Sequence, residues 1–143
     1  MTPGSFRKSL LVAGAVLFLL GLLQGVAVHS FLNPRMALSA HLTAVQSGMA
    51  IMIAGLVWPT ITLAQVLKGT AHWTLIFGMY GLWIALTLSA ATGASNALPI
   101  AGAGYSAAPS IEQVVSALII ISSASMVLGW GLLAMGLLRS KQA

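Results

Sequence analysis

The chain has 143 residues, of which 59% are hydrophobic and 5% charged, with no cysteine and a formal charge of +5. An ordinary soluble domain carries roughly 25% charged residues, so so few charges could not cover the surface of a water-soluble fold; disulfides, thiolate ligands and cysteine nucleophiles are also excluded. Glu112 is the one acidic residue, which rules out paired acid–base carboxylates and carboxylate metal cages, and the Lys and Arg residues scatter near the ends of apolar runs, in no nucleic-acid-binding stripe.

The bilayer is therefore the expected solvent, and membrane lipid the first partner. A hydrocarbon core of about 30 Å takes about 20 apolar residues as helix. Four runs meet this, at approximately 9–32, 36–63, 72–92 and 111–138. They lack sustained alternation and are too long for barrel strands, so the expected fold is all-α: one transmembrane domain over 1–143, an integral membrane four-helix bundle.

The first run follows Arg7 and Lys8, like the start of a signal sequence. Its apolar stretch exceeds the usual h-region of about 7–15 residues, and it reads as a retained membrane helix. Gly21 and Gly25 form a small-residue pair on it, suited to close packing. Gln24 is expected to bond to a neighbouring helix.

The second run opens with Asn33 as a cap and Pro34 in the first turn, where a missing N–H costs nothing. Pro59 is expected to kink or loosen this helix near its exit. His41 stands seven residues past Pro34, roughly 10 Å into the helix at 1.5 Å per residue. Ionisable groups at such depth usually face a cavity, a partner or a pathway; the other reading of His41 is a neutral imidazole hydrogen-bonded to a carbonyl or to a Ser or Thr. At ~100° per residue, Ala37, Ala44, Gly48 and Gly55 lie within about 60° of it. Such a stripe either leaves space for a flat apolar group ligated through the imidazole, such as a porphyrin, or serves tight Gly/Ala helix packing. The opposite face carries Ser39, Thr43, Gln46 and Ser47, which line a polar substrate pocket or bond to neighbouring helices.

In the third run His72 and Trp73 fall at the start, where both suit the interface; His29 and Trp58 are placed there on the same ground. Gly93 is expected to end this helix in a left-handed conformation. The uncharged segment 93–110 is either a flexible cap or a lid. For the fourth run, Ser110 and Gln113 have capping-box spacing, and Glu112 lies in the first turn, where the helix dipole favours a carboxylate. With four spans, Arg7, Lys8, Lys68, Arg139 and Lys141 share one side and Arg35 alone lies opposite. That bias places both termini in the cytoplasm, in a bacterial-type inner membrane. No phosphate-binding Gly loop occurs, and the three histidines match no zinc spacing.

The segments "NPRMALSAHL" (33–42), "GLVWP" (55–59), "IFGMYGLW" (76–83) and "LPIAGAGYSAAPS" (98–110) resemble the hydroxylaminobenzene mutases, themselves more distantly related to styrene oxide isomerases. The resemblance implies a homo-oligomer, a homotrimer, holding haem b at subunit interfaces and acting on a small aromatic substrate. It places the haem-iron ligand on His41, and implies a Lewis-acid iron without net electron transfer. Around that ligand the cofactor-binding candidates are Arg35, toward a propionate, with Ala44 and Gly48; the catalytic candidates that would orient a substrate oxygen are Ser47, Thr43 and Gln46. The related enzymes carry asparagines where this chain has Ser47 and Leu82, and the epoxide isomerases a tyrosine where it has only Leu86 and Thr87. A mutase acting on an aryl hydroxylamine therefore fits better than an epoxide isomerase. The other classes open to this sequence are a haem protein with a second axial ligand (His29 or a Met) serving electron transfer or storage, and a haem-free membrane protein.

Overall fold

The computed structural model describes residues 3–140, and within them the secondary structure is helical throughout. Four long helices follow in chain order: α1 (Pro3–Val26), α2 (Pro34–Val57), α3 (Gln65–Thr92) and α4 (Pro109–Leu138). Each is long and apolar enough to cross a membrane. The protein is thus a multi-pass membrane protein, as its composition requires. Lys141, one of the basic residues used to orient the chain, lies outside the described residues.

Four helix ends differ from expectation by six or seven residues: both ends of α1, expected at 9 and 32, the end of α2 and the start of α3. α1 runs from Pro3 to Val26 and a short 3-10 turn, Val28–Ser30, follows it. α2 stops at Val57, and Trp58–Thr60 form a second 3-10 turn. Pro59 cannot continue the i to i−4 ladder, so the helix yields there rather than running on to residue 63. α3 then starts at Gln65, seven residues before the expected start at 72, because Gln65, Lys68 and Thr70 are polar yet helix-compatible. At its far end Gly93 adopts φ 81° and its N–H closes on the Ser89 carbonyl, as expected.

Asn33 caps α2 by accepting from the Met36 amide at 3.1 Å, with Pro34 at the first position. The capping box expected at Ser110 does not form. Pro109 already starts α4, Ala108 holds the cap position without a side-chain bond, and Ser110 is exposed inside the first turn. Glu112 has a different task. Its buried carboxylate accepts from the amides of Ser95 (3.0 Å to each oxygen), Asn96 (2.9 Å) and Ala107 (3.1 Å). The segment 93–108 is stapled at its other side to α2, where Asn33 Nδ2 donates to Ala101 O at 2.9 Å and Arg35 Nη2 donates to Ala103 O. It is a folded cap, bonded at both edges.

The bundle consists of two close hairpins, α1 with α2 and α3 with α4, joined mainly where α2 meets α3. Glycine sets the intimacy of the first pair. A Cβ on Gly14 would stand 2.6 Å from the Gly48 carbonyl, and one on Gly48 would stand 2.6 Å from the Phe18 amide. The α2 stripe Ala40, Ala44, Ser47, Ile51, Ala54 and Trp58 is buried at heptad-like spacing. The main core joins Leu10, Leu17, Ile51, Trp58, Leu75 and Met79, and a smaller one near the outer end joins Met36, Ala40, Leu86 and Ala90.

Two interface assignments change. Trp58 is 1% exposed and His72 0% exposed, so neither belongs to the aqueous boundary. The early start of α3 carries His72 two turns inward, against Phe6 and Trp58. Trp73, 46% exposed, does face outward.

Candidate functional site

His41 projects from α2 onto α1, where two glycines receive it. Its Nδ1–H donates to the Gly21 carbonyl at 2.7 Å. The imidazole lies across Gly25, where a Cβ would stand 2.8 Å from both Cε1 and Nδ1. Because a backbone carbonyl only accepts, this bond places a proton on Nδ1, and in the neutral ring it leaves the lone pair on Nε2. Metal-binding histidines use this arrangement: one nitrogen held by a carbonyl, the other free to ligate. The carbonyl contact thus occupies one nitrogen and orients the other.

Gly25 also lines an open groove of about 350 Å³ with Val28, His29, Pro34, Arg35 and Leu38. His41 is not itself a lining residue; its ring adjoins the groove only through Gly25. The walls of the groove are mostly apolar, while the exposed His29 and Arg35 supply polar groups at the outer end. The hydrogen bond to Ala103 O uses one of the five donors of Arg35.

The other expected site residues separate. Ala44 and Gly48 lie in the α1–α2 seam, buried, with Gly48 against Phe18 and Gly14. The space expected in front of His41 along this stripe is filled by α1. Neither residue offers surface to a cofactor; the small-residue stripe is helix packing. Thr43 is half-buried, Gln46 exposed, and Ser47 buried within the α2 stripe. Ser39 bonds back to the Arg35 carbonyl of its own helix. The hydroxyl face is therefore divided between the core and the outer surface.

A polar network lies between α1 and α3, where Gln24 bonds to a neighbouring helix as expected. Trp83 Nε1–H donates to Gln24 Oε1 at 2.6 Å, and Gln24 Nε2 donates to Thr87 Oγ1 at 3.1 Å. Tyr80 donates its hydroxyl to the Ala13 carbonyl at 2.8 Å. These bonds satisfy buried amide and ring groups and tie α3 to α1. The signal for the seat of His41 was the Gly21/Gly25 pair, legible as close packing. What it packs against is an imidazole.

A sequence profile of the styrene oxide isomerases matches residues 6–138. Hydroxylaminobenzene mutase HabA of Ectopseudomonas oleovorans is 37% identical over 131 residues, spanning 91% of this chain and 97% of the relative. Hydroxylaminobenzene mutase HabB of the same organism is 34% identical over 137 residues, spanning 95% of this chain and 84% of the relative. No solved structure matches. With the match running from the first turns of α1 to the end of α4, the chain belongs to the styrene oxide isomerase family.

Proposed function

We propose that this protein is a membrane isomerase that rearranges an aryl hydroxylamine to an aminophenol, with haem b held through His41. The observation that carries this reading is the imidazole fixed by the Gly21 carbonyl at 2.7 Å, with Nε2 left to ligate. The two mutases at 37% and 34% identity supply the reaction class. Aryl hydroxylamine and aminophenol are isomers, so the conversion consumes no electrons.

The residues present fit the cofactor at its ligand and at its outer end. His41 would hold the iron, and the exposed Arg35, with donors left over, would meet a propionate. When bound, ferric haem would supply Lewis acidity toward the substrate oxygen, favouring its departure from nitrogen. Thr43 and Gln46, half-buried and exposed on α2, are the side chains this chain presents to orient that oxygen. Ser47, enclosed between Ala44 and Ile51, would reach it only if α2 shifted against α3. The apolar walls of the groove would accept an aromatic ring and keep water from trapping a cation formed during rearrangement. The groove is open on one side, and a second copy of the chain, in a homotrimer, is the surface we assign to close it. The basic residues at 7, 8, 68, 139 and 141 orient the protein with both termini cytoplasmic, in the inner membrane of a bacterial cell.

Absorption spectra of purified wild type and His41→Ala test the ligand: the haem band of wild type should be lost or displaced in the variant. An unchanged spectrum would remove His41 from the role. Turnover of phenylhydroxylamine without added reductant tests the chemistry, and a requirement for electrons would refute it. His29 in the same groove favours one other reading, a haem protein with two axial histidines and no isomerase activity. A six-coordinate spectrum unresponsive to added ligands would establish that reading.

A further inference from the structure

The stretch 21–26 at the end of α1 carries the seat of His41, yet it has few side chains to hold it in place. Leu22, Leu23 and Val26 are exposed, and Gly21 and Gly25 have no side chain. Gln24 is the one buried side chain of the stretch. The glycines let α1 approach α2 at backbone contact, but a surface without side chains resists rolling of the helix weakly. The amide of Gln24 supplies that resistance. Its Oε1 accepts from Trp83 Nε1–H at 2.6 Å and its Nε2 donates to Thr87 Oγ1 at 3.1 Å, so α3 holds both ends of the amide. Thr87 spends its own hydroxyl proton on the Trp83 carbonyl at 2.8 Å, which leaves the oxygen to accept from Gln24.

The register turns these bonds into a rotational clamp. Tyr80, Trp83 and Thr87 share one face of α3 at helical period. On α1, the Ala13 carbonyl that accepts from Tyr80 and the amide of Gln24 lie about three turns apart on one face. Tyr80 thus grips α1 in mid-span and Gln24 grips its end. In hydrocarbon no water stands ready to replace such bonds, so rolling α1 away from α3 is costly. We propose that Gln24 is a positioning residue for His41. By fixing the roll of α1 against α3, it aims the Gly21 carbonyl at Nδ1 and keeps Gly25 beneath the ring. α2 carries the imidazole, α1 its acceptor and α3 the clamp, and the direction of Nε2 follows from all three. The inference rests on His41 as the ligand of haem iron.

Resonance Raman spectroscopy of the full-length, haem-loaded protein, reduced and without added ligand, tests the role. The iron–histidine stretch follows the hydrogen bond made by the other nitrogen of the ligand ring, because that bond raises ligand basicity. Gln24→Leu should shift this band to lower frequency. Trp83→Phe, which removes the N–H and keeps an aromatic ring, should shift it in the same direction. Gln24→Glu, whose carboxylic acid form keeps one acceptor and one donor in place, should return the band to its wild-type position. Tyr80→Phe is the structural comparator: it cuts the tie at Ala13, and should lower the melting temperature while leaving the band where it is. A band lost in His41→Ala but unmoved in Gln24→Leu, or moved as far in Tyr80→Phe, would overturn the role of Gln24 and leave the ligand standing. A band that survives in His41→Ala would overturn both.

Discussion

At the scale of single residues the decisive feature is the seat of His41. An imidazole on a helix facing hydrocarbon can turn through its rotamers and either nitrogen can serve as donor. The Gly21 carbonyl selects Nδ1, and the absence of a side chain at Gly25 lets the ring lie flat against α1. We expect Gly25→Ala to displace the ring, because a Cβ at 2.8 Å cannot share that space with it. On the proposed role of His41, haem affinity, read as the ratio of haem to protein absorbance under limiting haem, should fall roughly tenfold or more, the usual effect of disturbing a partner that orients a metal ligand. Helical content by circular dichroism should be unchanged. Gly131→Ala is the matched control: nothing lies within 4 Å of its added Cβ, and haem loading should stay at the wild-type level. The residue identity of His41 and its depth were readable from sequence. Which nitrogen is free was not, because the choice belongs to a carbonyl twenty positions away.

Among the elements, the segment 93–108 shows how a chain of small uncharged residues becomes a fixed structure. Its own composition gives no reason for order. Turns and the Ser95 hydroxyl, donating to Tyr105 O, bond it internally, and it is anchored from outside by Glu112 on α4 and by Asn33 and Arg35 at the start of α2. Glu112→Gln keeps the shape of the side chain but turns one acceptor oxygen into a donor facing N–H groups. Hydrogen exchange at Ser95, Asn96 and Ala107 should accelerate by roughly tenfold or more as the segment opens locally; exchange at wild-type rates would mean that the carboxylate does not hold it. Asn33→Ala removes both the cap of α2 and the bond to Ala101, and should cost about 1–3 kcal/mol of stability, measured by denaturation in detergent. Ser110→Ala should stay within about 0.5 kcal/mol of wild type, since its hydroxyl caps nothing. The spacing Ser110–Gln113 suggested a capping box, but the helix starts two residues sooner, at Pro109, with Ala108 at the cap position.

For the whole molecule, glycines hold α1 against α2 at backbone contact. Gly48→Ala places a methyl group 2.6 Å from the Phe18 amide, an atom of the main chain that cannot rotate away. Separation of the two helices should cost about 1–3 kcal/mol, the usual range for overpacking, seen as a lowered melting temperature and looser binding of haem, because the Gly21 carbonyl moves with α1. Melting and haem loading at wild-type values would show that the pair tolerates separation. A stripe of small residues beside a histidine admits two readings from sequence, a cofactor cleft or a helix seam, and the partner helix decides between them. Here α1 fills the stripe, while the open groove lies elsewhere, between the ends of α1 and α2, and adjoins His41 only through Gly25.

The sequence by itself determined the solvent, the number of spans and the helix ends marked by Asn33 and Gly93, because hydrophobic length and such local chemistry act within a few residues, while both ends of α1, the end of α2 and the start of α3 fell six or seven residues from expectation. It also singled out His41, since an ionisable group at that depth stands out against apolar neighbours whatever the packing. The burial of His72, the seat on Gly21 and Gly25, the use of Glu112 as an anchor and the filling of the Ala44–Gly48 stripe were decided only by tertiary structure. Each depends on which helix lies opposite, and helical periodicity says which residues share a face without saying what that face meets.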